Sequence, residues 1–403
     1  MKIQEINARL AGLAVFRGLR EDPVLADYAA LIRALAQGPA LDVCEAAGRF
    51  EAGLFAADTS DLSEYIASAV LECENICARR AARGQLSPAL EQALDGELHF
   101  LEELSGLGLD DLLDAAGLDA GQKAAYAFLP RWEAHPTGLA GAYKARLSEM
   151  GQVGYGMFAR HHVFMLDGEG RLTPVRHPDP QRLADLPGYE REREKILANT
   201  RGLLAGLPAN NVLLYGDAGT GKSSAVKAIA NEYAPQGLRL VEVKKNQLYL
   251  LPDLMDQLAA NPLKFILFID DLSFSSNDND FAALKAILEG SVNSHSPNLI
   301  VYATSNRRHL IKESFADREG DDLHLADTMQ ELLSLSARFG LTVTFSRPDK
   351  DLYLQIVQDL AALYDLKIDR EELIRKAESY AIRSGGRSPR TAKQLIEQLK
   401  SLG

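Results

Sequence analysis

The apolar positions of this chain change period twice along its 403 residues. Up to about residue 150, "PVLADYAALIRALAQ", "DLSEYIASAVLECENICARRAA" and "SPALEQALDGELHFLEELSGL" place apolar side chains three and four apart, the spacing of one helix face. Asp61 and Ser87 stand where N-caps belong. No repeat period emerges, which argues against a solenoid. The segment "YGMFARHHVFMLDGEGRLTPVRHPD" then alternates in two short runs around "DGEG", a hairpin pattern with His161 and His162 in the first run. Adjacent strand residues point to opposite faces, so that pair is a poor metal site. The prolines of "HPDPQRLADLPGYE" suit a linker. From about residue 181, strands are expected at 211–215, 238–243, 264–270, 298–304 and 341–345, with helices between them. Such alternation predicts an α/β fold with a mainly parallel sheet covered on both faces. After about residue 349 the pattern is helical again. The expected domains are a helical region over 1–150, a hairpin and linker over 151–180, an α/β core over 181–347 and a helical lid over 348–403.

One stretch does not fit a plain buried strand: "FILFIDDLSF", where an apolar run ends in Asp270 and Asp271. Adjacent carboxylates repel and are costly to desolvate without a cation or donors. They mark either a helix N-cap or a metal-and-water site. The choice turns on residues after the first strand of the α/β region, Gly216, Asp217, Ala218, Gly219, Thr220, Gly221, Lys222, Ser223 and Ser224 ("GDAGTGKSS"). These fit G-x-x-x-x-G-K-[ST] between an apolar strand and the helix "SAVKAIANEY". Gly216, Gly219 and Gly221 permit positive φ and close backbone approach, so successive N–H groups can wrap a phosphate. The helix that follows presents its positive end to the same anion. Lys222 would reach the β- and γ-phosphates of ATP, and the Ser223 hydroxyl would ligate Mg²⁺. Asp270 is then the carboxylate for Mg²⁺, and Asp271 stands where it can polarise the attacking water. Aspartate is one methylene shorter than the commoner glutamate, so the N-cap alternative for Asp271 stays open.

Further residues fall where hydrolysis would need them. Asn306, after the fourth strand in "YATSNRRHL", could hold the lytic water or the γ-phosphate. Arg338 precedes the fifth strand and could reach a neighbour's γ-phosphate in a head-to-tail ring. Arg390 opens the last helix and could contact nucleotide in its own subunit.

Composition narrows the remainder. The chain is 46% hydrophobic and 25% charged, ordinary for a globular protein of two or three domains. Its net charge of −12 weighs against general attraction to nucleic acid or anionic membrane. No apolar stretch is long enough to span a bilayer, and "MKIQEINARLAGL" lacks a signal-peptide core. Three cysteines suggest a reducing interior. Cys73 and Cys77, four apart, could share a helix face, and ordinary packing is the reading for them. A cytoplasmic protein is expected.

The order of these pieces resembles that of the AAA+ ATPases: Walker A, Walker B, sensor 1, arginine finger, sensor 2. "NNVLLYGDAGTGKSS", "KFILFIDDLSF", "YATSNRRHLI", "LSLSARFGL" and "GRSPRTA" together resemble the bacterial family called domain of unknown function 815, over roughly residues 155–403. That resemblance implies a five-stranded parallel sheet of order 5-1-4-3-2, a helical lid, and adenine held near Leu186 to Gly188. The family usually carries an acid after "DDLSF", where this chain has Ser275. Only about twenty residues separate the second and third strands, room for one short helix, and Tyr249 and Leu250 are expected to pack inward rather than form a threading loop. The expectation is an AAA+ ATPase that uses Mg-ATP to remodel or switch a partner bound by its N-terminal helices, as a nucleotide-dependent ring. An initiator- or helicase-loader-like action on nucleic acid, and a slow ATP-binding switch, are the alternatives.

Overall fold

The three- and four-residue apolar spacing of the first 160 residues builds helices, among them Pro23–Gln37, Ala40–Ala56, Leu62–Glu72, Ile76–Ala81 and Pro88–Ser105. In the computed structural model the chain divides into two units, Met1–Arg160 and His161–Gly403. The structure describes residues 1–272, 284, 288, 297–306 and 337–402. Among these, no helix is long and apolar enough to cross a membrane.

In the first unit Asp61 and Ser87 do cap helices, accepting from Glu64 N (3.1 Å) and Leu90 N (3.4 Å). Its core holds Tyr28, Phe50 and Trp132, with Phe50 edge-on to Trp132 at 4.9 Å between centroids. Cys73 and Cys77 do not share a helix face. The chain breaks between Leu62–Glu72 and Ile76–Ala81 because buried Asn75 caps the second helix through Ala78 N and donates to Tyr143 Oη at 2.7 Å. Helical periodicity runs straight through that break, so only the buried polar pair reveals it. Glu97 fastens the loop after the first helix, accepting from Ala14, Val15 and Phe16 N at 2.7, 3.1 and 2.9 Å. Glu97→Ala should destabilise this unit by about 2–3 kcal/mol, since three donors lose a charged acceptor, and Glu97→Gln by about half that. Urea midpoints followed by circular dichroism check this.

In the second unit strands β1 (Val163–Leu166), β2 (Leu172–Pro174), β3 (Val212–Gly216), β4 (Leu238–Glu242), β5 (Lys264–Ile269), β6 (Leu299–Asn306) and β7 (Leu341–Phe345) form one sheet of order β2-β1-β4-β5-β6-β3-β7. The five-stranded order implied by the resemblance is present as β7-β3-β6-β5-β4, but the sheet has seven strands rather than five. The hairpin adds the other two: β1 runs parallel to β4 in register Val163↔Leu240, and β2 closes the edge antiparallel. The edge of β4 would otherwise leave its N–H and C=O groups unpaired, and the hairpin covers it. The histidines lie just before β1 rather than within it, and His162 Nε2 meets Asn231 Oδ1 at 2.9 Å.

Among the described residues six α-helices accompany the sheet: α1 (Glu190–Leu204), α2 (Lys222–Tyr233), α3 (Leu251–Ala259), α4 (Lys350–Leu363), α5 (Arg370–Arg383) and α6 (Pro389–Leu402). The central strands β5 and β6 are buried almost throughout, as a sheet covered on both faces requires. Buried Tyr302 on β6 bonds through its hydroxyl to Thr200 Oγ1 (2.8 Å) and Asn199 Nδ2 (3.2 Å), locking α1 to the sheet. The last three helices pack Tyr353, Ile356, Val357, Ala377 and Ile396 into the same core. Tyr249 does not pack inward. It is 67% exposed, in a 3₁₀ turn before α3, while Leu250 covers Gly170 of the hairpin.

Candidate active site

Strands β3, β5 and β6 are parallel neighbours, so their carboxyl ends emerge together, the edge where open α/β sheets bind ligands. Sequence turns that edge into a cradle. Gly216 has φ 144°, and a Cβ there would lie 2.0 Å from Phe345 O on β7, so only glycine fits. Gly219 and Gly221 follow at φ 76° and 90°, and α2 starts at Lys222. Residues 218–224 line a cavity of about 520 Å³. Gly216 and Asp217 do not line it; Asp217 Oδ2 accepts from Arg347 N at 2.9 Å.

The polar groups at the cavity floor form a hydrogen-bonded chain that the Lys222–Ser223 backbone closes into a ring. Lys222 Nζ donates to Asn306 Oδ1 at 3.0 Å, and Asn306 Nδ2 donates to Asp271 Oδ1 at 2.8 Å. The Asp271 N–H donates to Thr304 Oγ1 at 2.9 Å, and that hydroxyl donates to Asp270 Oδ1 at 2.5 Å. Ser223 Oγ, next to Lys222, donates to the same carboxylate oxygen at 2.6 Å. Lys222 is buried, and its amine also holds the carbonyls of Gly216 and Asp217. Burial pulls its pKa below the ordinary lysine value, against the opposing pull of Asp217, Asp270 and Asp271. A poorly solvated cation beside two carboxylates and a ring of backbone donors suits a polyanion carrying a divalent ion. The hard-oxygen pair of Asp270 and the Ser223 hydroxyl fits Mg²⁺.

Asp271 has φ 53°, in the left-handed region. Its carboxylate is engaged by Asn306. The helix that the N-cap reading requires would begin beyond Leu272, outside the described residues.

Arg390 lies on the same cavity, at the start of α6. Its N–H donates to Gly219 O at 3.2 Å, fastening the last helix to the P-loop. Arg338 does not line the cavity. It sits just before β7, whose other end abuts Gly216, so a five-residue strand, roughly 17 Å, separates it from the P-loop. Ser275 lies outside the described residues.

Several cavity residues were not anticipated from the sequence. Thr304 stands two before Asn306 on β6, and strand alternation alone places both on one face. Lys393 follows Arg390 by three on α6, the spacing of helix neighbours. At the cavity's apolar end are Leu186, Pro187, Ile356 and Leu360, with Tyr189 beside Phe345 at 5.4 Å between centroids. Arg193, on α1, donates to Gly188 O there. The Arg193 contact is local, and the resemblance already implied Leu186 to Gly188 as an adenine site. What no local pattern announces is the meeting of that segment with Phe345 and Ile356, more than 150 residues further on.

A family model described as "Protein of unknown function (DUF815)" matches residues 159–402. Replication factor C large subunit from Staphylothermus marinus is 30% identical over 119 residues, covering 27% of this chain and 27% of that protein. Among solved structures, two mutants of RuvB from Thermotoga maritima are 18% and 19% identical, each with a TM-score of 0.37 over 55% of this chain and 65% of theirs. The chain thus spans less than two thirds of each of these relatives. At that degree of overlap the strand order, not the overlay, identifies the fold. With the family model covering more than half of its length, the chain belongs to the DUF815 family, and it carries its P-loop at the carboxyl edge of a β7-β3-β6-β5-β4 sheet in an AAA+-type α/β fold.

Proposed function

We propose that the protein binds Mg-ATP in the cavity above the P-loop and hydrolyses it to remodel or switch a partner macromolecule. One observation supports this reading best: the ring Lys222–Asn306–Asp271–Thr304–Asp270–Ser223 brings an amine, two carboxylates and two hydroxyls together at one strand edge beside the glycine loop. On this reading Lys222 and the loop N–H groups take the phosphates, while Asp270 and Ser223 would hold Mg²⁺, whose charge would offset that of the phosphates. Asp271 accepts the proton of the attacking water, and Asn306 orients that water or the γ-phosphate. Arg390 and Lys393 add positive charge from the lid. The apolar end near Leu186 and Pro187 takes the base.

Arg338, away from its own cavity, is proposed to serve the neighbouring subunit of a ring, and the helices of the first unit to carry the partner. A second reading, action on nucleic acid, is favoured by the similarity to a replication factor subunit; the net charge of −12 weighs against it. Stimulation of turnover by single- or double-stranded DNA would favour that reading over a protein partner.

Lys222→Ala should abolish tight ATP binding, because the cradle loses the amine at its centre. Titration with a fluorescent ATP analogue checks this, and wild-type affinity in the variant would overturn the phosphate-site assignment.

A further inference from the structure

The first unit contains a cavity that the nucleotide reading does not use. It measures about 270 Å³ and lies among the helices Ile3–Ala11, Pro23–Gln37 and Pro88–Ser105. Its floor is apolar and closed: Leu13, Leu19, Tyr28, Ile66, Leu101 and Leu104 are all buried. The Tyr28 hydroxyl is turned away to the carbonyls of Leu104 and Leu107, leaving the ring as wall. The rim differs in kind. Arg20 and Arg33 both line the cavity and both are exposed, with Asn7 as the other polar side chain. No carboxylate lines it, although the chain carries 56 acidic residues against 44 basic ones. Among the described residues no ion pair is formed by either arginine. Arg20 Nη1 donates to the Ala11 carbonyl at 3.5 Å, and no carboxylate neutralises either guanidinium. Two guanidiniums without a carboxylate partner at the rim of an apolar floor match a ligand with a negative head and an apolar body.

Size decides the body. A cavity of about 150 Å³ takes benzene, so this one takes roughly ten to twelve non-hydrogen atoms. That is a medium-chain carboxylate rather than a long acyl chain or a helix. We propose that the first unit binds a small amphiphilic carboxylate of this class, head on Arg20 and Arg33 and tail on Leu13, Ile66, Leu101 and Leu104. The site would let the protein respond to a metabolite at a place separate from its P-loop, and it does not depend on the ATPase reading.

Calorimetric titration of the full chain with octanoate, below its micelle concentration, tests the assignment. One octanoate per chain is expected. Octanol and octylamine should bind at least about tenfold more weakly, because a charge-assisted contact is lost or reversed. The double variant Arg20→Gln, Arg33→Gln should lose that tenfold for octanoate while leaving octanol unchanged. Ala29→Phe, on the cavity wall, should abolish binding of both; if that variant melts early, the arginine pair carries the test alone. No saturable octanoate binding would overturn the proposal. Equal affinity for octanoate and octylamine, or several equivalent sites per chain, would do so too. An acidic peptide bearing one leucine that binds through the arginines where octanoate does not would transfer the site to a protein partner and overturn the small-molecule assignment.

Discussion

Asp271→Asn should keep Mg-ATP bound within a few-fold of wild type while cutting turnover by about 10²- to 10⁴-fold, the range for removing a general base. The reason is geometric. Asp271 meets neither Lys222 nor Ser223 directly; its carboxylate is reached through Asn306, and its backbone N–H through Thr304. The amide of asparagine can keep the Asn306 contact but cannot take a proton. Asp270→Asn should behave differently, losing Mg²⁺-dependent affinity itself, since the Ser223 and Thr304 hydroxyls converge on that carboxylate. Steady-state hydrolysis paired with nucleotide titration at varied Mg²⁺ separates the two. If Asp271→Asn hydrolyses ATP like wild type, Asp271 has no part in activating water. The left-handed backbone at Asp271 would then serve only to turn the chain after β5.

Arg338→Ala should leave ATP affinity of the single subunit intact and lower turnover by about 10³- to 10⁵-fold, as for an arginine supplied from a neighbour. The expectation rests on its position, at the opposite end of β7 from the P-loop and off the cavity lining. If a residue so placed acts on phosphate, it does so across an interface, and nucleotide binding and association would then be linked by mass action. Mixing Arg338→Ala with Asp271→Asn should therefore restore activity that neither has alone. In a randomly mixed head-to-tail ring, roughly a quarter of interfaces pair an intact base with an intact arginine. Light scattering with a slowly hydrolysed ATP analogue, followed by the mixing assay, reads both parts. A strictly monomeric protein whose Arg338→Ala variant retains full turnover would make Arg338 a residue of the β7 approach and nothing more.

Much of the second unit was legible in sequence because its signals are local. An apolar run bounded by turn residues specifies a buried strand, and observed strands begin and end within about two residues of the expected ranges. The glycines of "GDAGTGKSS" are explained by φ values that other residues avoid, and Gly216 by a contact no side chain survives. The aspartate pair of "FILFIDDLSF" likewise follows from electrostatics: two adjacent carboxylates at a strand end need donors or a cation, and three donors converge on Asp270.

What stayed hidden depends on partners distant in the chain. Thr304 looks like any strand threonine until β5 and β6 are paired, and only then does its hydroxyl reach both aspartates. Tyr249 failed in the other direction. Its aromatic ring suggested the core, yet the 3₁₀ turn that seats Leu248 and Leu250 leaves it in solvent. The hairpin was visible as a hairpin, but nothing in "VFMLDGEGRLTP" says that it joins the edge of β4, because strand pairing is decided by which edge is open. Periodicity in the first unit gave helices but neither the break at Asn75 nor the cavity under Arg20 and Arg33. Sequence by itself determined the elements, the phosphate cradle and the acids that face it, since each rests on backbone sterics or charge within a few residues. Tertiary structure alone decided the seven-stranded sheet, the hydrogen-bonded ring and the second cavity, because each exists only where surfaces far apart in the chain are brought into contact.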